Sequence, residues 1–413
     1  RGRFEARLSG GCVGHVQQRK LRAIMSITIL LDKSALQRLS HDELLRLSHH
    51  YMVAAPQVLV FELLGDLTKD EAKPAKSEAM VQALSRNLRA AMPKVCADAR
   101  DMATGSLLGR PVPMTGQIPM AGGIPIVDNE GKRGVVFDEA PEMEAMFRWH
   151  LGRFTEDERA QSLHWRQSTK ALDMEAFQRF LRKIHPKLDG VRTIPQVVTY
   201  VDQVLATPNY QRLFAQWASA EARAVGRLQD LVLKRWDHLK PPSLHAFAPY
   251  AHHFLRVSMA FYIGLHVGAI TTRKSNWIDV EYLRYLPFCQ AFTTGDQLQV
   301  DLARELMRKD QDMIAADDLK ADMARLIAWW DGLSKDERHE EAAEFGSQPP
   351  DLDGSPTASL WRKKFGPRRK GRGNLALKMT PEQNKALFEK LRPQMEAAQA
   401  ALAQAKMARQ GER

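Results

Sequence analysis

The feature that most constrains this chain is a short apolar, β-branched run, SITILLDKS, which closes on a carboxylate at Asp32. It is too short for a helix, and a buried parallel strand commonly ends this way where a functional edge begins. Leucines at helical spacing follow in ALQRLSHDELLRLSHHY, and PQVLVFE then reads as a second strand leading into ELLGDL. A strand-helix-strand opening predicts a parallel sheet, whose ligands collect beyond the carboxyl ends of its strands.

Further along, a charged helical pattern runs from Glu71 to about Leu88, and residues 104–126 are rich in Gly and Pro without a helical period. That stretch reads as a long loop or ribbon, and it lacks the Gly-Lys-Ser/Thr ending of a phosphate-binding Walker loop. Residues 141–238 show apolar spacings of three and four almost throughout, as in MEAFQRFLRKI and YQRLFAQWASAEARAVGRLQDLVLKRW. A mainly α-helical insertion over 71–254 is the simplest account. After Pro241 and Pro242 the α/β pattern resumes. WIDVEYLRYLPFCQAFTTGD predicts a short helix, a break at Pro287 and a strand, FCQAFTT, closed by Asp296. The predicted class is therefore α/β: a parallel sheet flanked by helices, split between 25–70 and 255–335. A basic linker and a C-terminal helix occupy 345–413, and residues 1–24 read as an extension or tag.

Composition narrows the function classes. With 413 residues, 44% hydrophobic and 26% charged, the chain can bury a sizeable core, which argues against wholesale disorder. The apolar stretch from Phe254 to Ile270 carries Arg256 and His266 and is too short to span a bilayer, so it reads as a buried helix. No membrane association is expected. Cys12, Cys96 and Cys289 have no paired spacing, which fits a cytoplasmic protein without a disulfide framework. Net charge +11 favours a polyanionic partner such as nucleic acid, and a homo-oligomer is compatible with everything read so far.

Four acids stand out. Asp32 and Asp296 end predicted strands, Glu62 follows one, and Asp279 opens a helix, so the topology can gather them at one sheet edge. Converging carboxylates are what a hard cation such as Mg²⁺ or Mn²⁺ requires, and such an ion can both activate water and neutralise a leaving oxygen in phosphodiester hydrolysis. The segments ILLDKSAL, QVLVFELLGDL, IDVEYLRYLPFC and AFTTGDQL occur in the order found in PIN-like nucleases. In this respect the chain resembles that superfamily, particularly its large bacterial members with insertions, over roughly residues 26–70 and 255–330. The resemblance implies a metal-dependent endoribonuclease. It further implies that Asp32, Glu62, Asp279 and Asp296 are the catalytic, metal-binding set, with Ser34 and Thr294 as polar neighbours. Asp66, Asn276 and Glu281 lie close enough in sequence to serve as alternates.

Adjacent histidines, His49 with His50 and His252 with His253, lack the spacing of a helical zinc motif. The run WRKKFGPRRKGRGNLALK interleaves Trp361 and Phe365 with Arg362, Lys363, Lys364, Arg368, Arg369, Lys370 and Arg372. Such a mixture suits phosphate contact and base stacking, with RNA favoured over DNA through the family resemblance alone; a solvated basic tail is the competing account. A second functional class also fits: a non-catalytic nucleic-acid-binding or scaffold protein with a degenerate PIN-like core.

Overall fold

The computed structural model describes residues 26–411 except 71, 122, 128–132, 138–139, 185–187, 372 and 374–378. The expected extension at 1–24 lies outside the described residues. Five strands form one parallel sheet in the order β3-β2-β1-β6-β7, built from β1 (Ile27–Leu31), β2 (Tyr51–Ala55), β3 (Lys94–Val95), β6 (Ala291–Thr294) and β7 (Asp312–Ala315). A separate antiparallel hairpin pairs β4 (Gly123–Val127) with β5 (Arg133–Phe137), so the Gly/Pro-rich stretch ends in a ribbon.

Every residue of β1 is buried because both faces of the strand are covered. Leu30 belongs to one apolar cluster, with Ala54 and Phe292; Ile27, Ile29 and Leu31 belong to the other, with Val53, Ala55 and Ala291. Covering of both faces explains why the strand reads as an unbroken apolar run rather than an alternating one.

From β1 the chain enters α1 (Lys33–Arg38) and α2 (His41–His50). The break between them is local chemistry. Ser40 Oγ accepts from the Glu43 backbone N–H at 3.3 Å while Glu43 accepts from the Ser40 N–H at 2.7 Å, a reciprocal cap that starts a new helix. The second strand is not where the sequence suggested. YMVAA forms β2, and PQVLVFE belongs to α3 (Gln57–Gly65), with Pro56 at its N-cap. A short apolar run cannot by itself be told from a buried helix. Here Pro56 starts the helix, and the pairs Leu59/Leu63 and Val60/Leu64 bury successive turns.

Next come α4 (Pro74–Ala90), α5 (Ala99–Leu107), α6 (Pro141–His150), α7 (Glu156–Ala171), α8 (Met174–Ile184), α9 (Ile194–Leu205), α10 (Gln211–Glu221), α11 (Arg227–Leu239), α12 (Leu244–Phe247) and α13 (Pro249–Val267). Strand β3, between α4 and α5, puts a sheet edge inside the stretch read as an insertion. Buried residues of α5, α9, α10 and α13 pack with Leu30, Ala54 and Phe292, so much of that stretch forms one of the two layers covering the sheet. Phe254 through Phe261 of α13 are buried except for Arg256, as expected for a core helix. Among the described residues no helix is long and apolar enough to cross a membrane.

The remaining helices are α14 (Ser275–Leu283), α15 (Gln297–Leu306), α16 (Ala316–Asp331), α17 (Lys335–Glu344), α18 (Pro356–Phe365) and α19 (Pro381–Gly411). Fully buried Asp322 of α16 accepts from Ser355 Oγ at 3.0 Å and the Thr357 N–H at 3.1 Å, which fastens the start of α18 to the body of the protein.

Helix α7 lies against α3 through a glycine. A Cβ built on Gly65 would stand 2.5 Å from Trp165 Cδ1, and the indole is stacked on Phe61 with ring centroids 5.8 Å apart. Ala at position 65 would gain up to ~1 kcal/mol of helix propensity against about 1–3 kcal/mol for overpacking. Gly65→Ala is therefore expected to melt about 1–3 °C lower than wild type. Calorimetry showing an unchanged or higher melting temperature would mean that the indole is free to swing away.

Candidate active site

The strand order reverses direction of growth at β1: the chain adds β2 and β3 on one side and returns to add β6 and β7 on the other. A crevice forms at such a switch point, outside the carboxyl ends of the two adjoining strands. Leu31 pairs with Thr293, so Asp32 and Thr294 leave the sheet side by side.

Asp32, 3% exposed, caps α1. Its carboxylate accepts from the Ala35 N–H at 2.8 Å, from Ser34 Oγ at 2.7 Å and from Thr294 Oγ1 at 2.9 Å. Burial raises its pKa, and these hydrogen bonds oppose the rise. Thr294 Oγ1 in turn accepts from the Asp296 N–H at 2.9 Å, and Ser34 Oγ accepts from the Gly295 N–H at 2.7 Å. Both residues expected as polar neighbours thus clamp the β6-α15 turn to the β1-α1 turn. Asp296 caps α15 by accepting from the Gln299 N–H at 3.1 Å, and Gln299 Nε2 donates to the Asp279 carbonyl at 3.1 Å.

Glu62 reaches the same place from α3. Its carboxylate accepts from the Tyr282 hydroxyl, one helical turn beyond Asp279 on α14. Burial raises its pKa, which Lys33 and Tyr282 oppose and the charges of Asp32 and Asp66 reinforce. Asp279 is pushed up to about 8, by burial first and then by the charges of Asp296, Glu62 and Asp32, with Arg273 pulling the other way. The four acids named from sequence therefore lie within one electrostatic neighbourhood.

Coordination is a stricter condition than mutual influence. Among the described residues, no three His, Cys, Asp or Glu side chains are drawn up around one ion-sized point. The two findings differ in range: Coulomb forces act over several ångströms, whereas a Mg²⁺–oxygen bond spans about 2.1 Å. Like charges without a counter-ion also hold one another apart.

The alternates are engaged elsewhere. Asp66 pairs with Lys33 at 2.6 Å, Asn276 donates to the Thr271 carbonyl at 2.8 Å, and Glu281 pairs with Arg284 at 2.7 Å. The histidines also have structural settings. His50 and His253 are buried beside the carbonyls of Ser347 and Leu283, and burial drives both down to about 3. Tyr282 and Lys33 escaped the sequence reading. Tyr282 had a signal, its i+3 position from Asp279, whereas Lys33 had only its place beside the first acid.

The basic run near the C-terminus is structured where described. Trp361 is 4% exposed and donates to the His50 carbonyl at 3.1 Å, so it is a core residue rather than an open stacking surface. Arg362 pairs with Asp351 at 3.0 Å, Lys363 with Asp312 at 2.8 Å, Lys364 with Asp310 at 3.6 Å, Arg368 with Glu341, and Lys370 with Glu340 at 3.0 Å. Arg369 donates its backbone N–H to Gln348, and Arg372 lies outside the described residues. Much of the charge that suggested a phosphate-binding tail is already balanced within the chain.

Comparison of the chain with family models, with curated proteins and with solved structures finds no match.

Proposed function

We propose that the chain is a divalent-metal-dependent nuclease with a PIN-like core, hydrolysing phosphodiester bonds of single-stranded or structured RNA. The observation that carries this reading is that hydrogen bonds through main chain and side chains tie the four acid-bearing segments together at the sheet's switch point, with the Asp279 carboxyl in the field of the other three acids. Asp32 and Asp296 are joined through Thr294, Asp296 and Asp279 through Gln299, and Glu62 is held by Tyr282 from the helix that bears Asp279.

Mg²⁺ or Mn²⁺ suits this donor set. Its side chains offer only oxygen, and a group of acids crowded enough to raise one another's proton affinity gains most from an added positive charge. Asp32, Glu62, Asp279 and Asp296 would hold the ion. Once bound, it would supply the charge that acidifies water and stabilises a leaving oxygen. The remaining work falls to the chain's own groups. Ser34 and Thr294 aim Asp32, the Tyr282 hydroxyl orients Glu62, and the Lys33 ammonium, ion-paired with Asp66, donates to the Glu62 carbonyl at 3.3 Å and fixes the start of α1 against α3. RNA is preferred over DNA by family analogy alone.

The test is cleavage of end-labelled single-stranded RNA and DNA with Mn²⁺, Mg²⁺ or EDTA, by wild type, Asp32→Asn and Asp296→Asn. Metal-dependent cleavage lost in both variants is expected. Equal activity in all three proteins would reject the proposal.

A further inference from the structure

Four clustered carboxylates repel the polyanion they are meant to cut, so a nuclease of this design needs cations at the rim that are not already neutralised. The ion-paired basic run is a poor source. A better one opens beside Glu62, where a cleft of about 130 Å³ lies between α3 and α7, with Ile278, the neighbour of Asp279, also in its lining.

Cations and an aromatic wall line it beside the carboxylates of Glu62 and Asp66. Arg166 and Lys170, one turn apart on α7, both face the cleft, and neither has a carboxylate partner among the described residues. Lys33, the third cation, is neutralised by Asp66 at 2.6 Å. Lys274 donates to the Lys170 carbonyl, and Arg273 acts on Asp279, so positive charge continues from the cleft along the acids. The wall is aromatic. Half-buried Trp165 is held flat by Phe61, at an interplanar angle of 13°, and by the bare backbone of Gly65. Phe61, 42% exposed, extends that surface outward.

We infer that this cleft is a nucleotide-binding subsite for single-stranded nucleic acid. Arg166 and Lys170 take a backbone phosphate next to the bond to be cut, and the indole of Trp165 supports the adjoining base. The inference rests on the nuclease reading for its substrate class. A single strand is specified because an aromatic wall can be used only by an unstacked base, and the cleft is too small to admit a duplex.

The experiment is fluorescence-anisotropy binding of a fluorescein-labelled ten-nucleotide RNA to the full chain, in EDTA to prevent cleavage, over a range of KCl. Arg166→Gln/Lys170→Gln is expected to bind about tenfold more weakly near 0.1 M salt, and to flatten the slope of log K against log salt by about 1.4, the value for two lost phosphate contacts on a single strand. Trp165→Leu should weaken binding about fivefold or more with little change in slope. Arg166→Lys/Lys170→Arg, which keeps both charges, should restore most of the affinity, and melting curves report whether each variant folds.

Absence of binding by wild type would overturn the inference. So would binding that survives Arg166→Gln/Lys170→Gln but is lost in Arg362→Gln/Lys363→Gln. The two readings fail separately. RNA held through Arg166 and Lys170 but never cleaved under any metal sinks the catalytic proposal and keeps the cleft. RNA cleaved and bound equally well by wild type and Arg166→Gln/Lys170→Gln sinks the cleft and keeps the catalytic proposal.

Discussion

Asp32→Asn is expected to lower the rate of RNA cleavage about a hundredfold or more while the protein stays folded. The carboxylate already holds three donors, Ala35 N–H, Ser34 Oγ and Thr294 Oγ1. Asparagine keeps one oxygen for the backbone N–H. Its amide can donate to Ser34 or Thr294, since each hydroxyl has a second lone pair beyond the one that receives Gly295 or Asp296. Removing a charge from a residue 3% exposed also removes its desolvation cost, so the melting temperature should hold or rise slightly.

What the substitution removes is the negative charge of the least exposed of the four acids. Groups that merely orient a metal ligand already change affinity or activity by about 10–100-fold, so a direct ligand sets a higher floor. Asp296→Asn makes an independent case, because asparagine is as good an N-cap as aspartate and α15 should be unaffected. Single-turnover cleavage with saturating Mn²⁺, read beside a melting curve, separates lost chemistry from lost structure. A double variant no slower than either single one is expected, because acids that act as a unit are not additive. Activity within threefold of wild type in Asp32→Asn would remove this carboxylate from the proposed site.

The acids were legible in the sequence to different depths. Asp32 and Asp296 could be read because each closes an apolar run short enough to be a strand, and β1 and β6 are those strands. Asp279 reads in sequence as opening a helix ahead of Pro287; the helix is there, but it starts at Ser275 and Asp279 sits at its middle. Glu62 reads in sequence as following a strand, and it lies within a helix instead. Its helix is apolar on several sides, and burial on several sides erases the periodicity that distinguishes helix from strand. The edge strands β3 and β7 carry almost no signal, being two and four residues long. Beyond local pattern, nothing in a sequence says that Tyr282 will meet Glu62 across 220 positions, that Trp165 will settle on Gly65, or that acids from Asp310 to Asp351 will neutralise the basic run. Those are consequences of packing, and they decide which cations remain available to a ligand.

Asp279→Asn should stabilise the metal-free protein at alkaline pH, with Mn²⁺ closing the gap. Asp279 has an ordinary pKa of 3.8 and is pushed up to about 8 in the folded chain by burial and by Asp296, Glu62 and Asp32. The folded state therefore keeps a proton that the unfolded state releases near pH 4. Between pH 4 and pH 8 the native chain binds more protons, so this group's contribution to stability falls as pH rises across that window. Asparagine has no charge to lose. The variant and wild type should melt together near pH 4–5 and separate progressively toward pH 8–9. At ~1.4 kcal/mol per unit the full shift sets an upper bound of about 6 kcal/mol. Relaxation and solvent screening reduce this to roughly 2 kcal/mol, or about 3 °C in a chain of this size. Mn²⁺ at a hundred times its dissociation constant would stabilise wild type by ~2.7 kcal/mol and should do much less for the variant, whose ligand set is one charge short. A melting difference that does not change between pH 5 and pH 9 would mean that the Asp279 carboxyl lies outside the field of the other three acids.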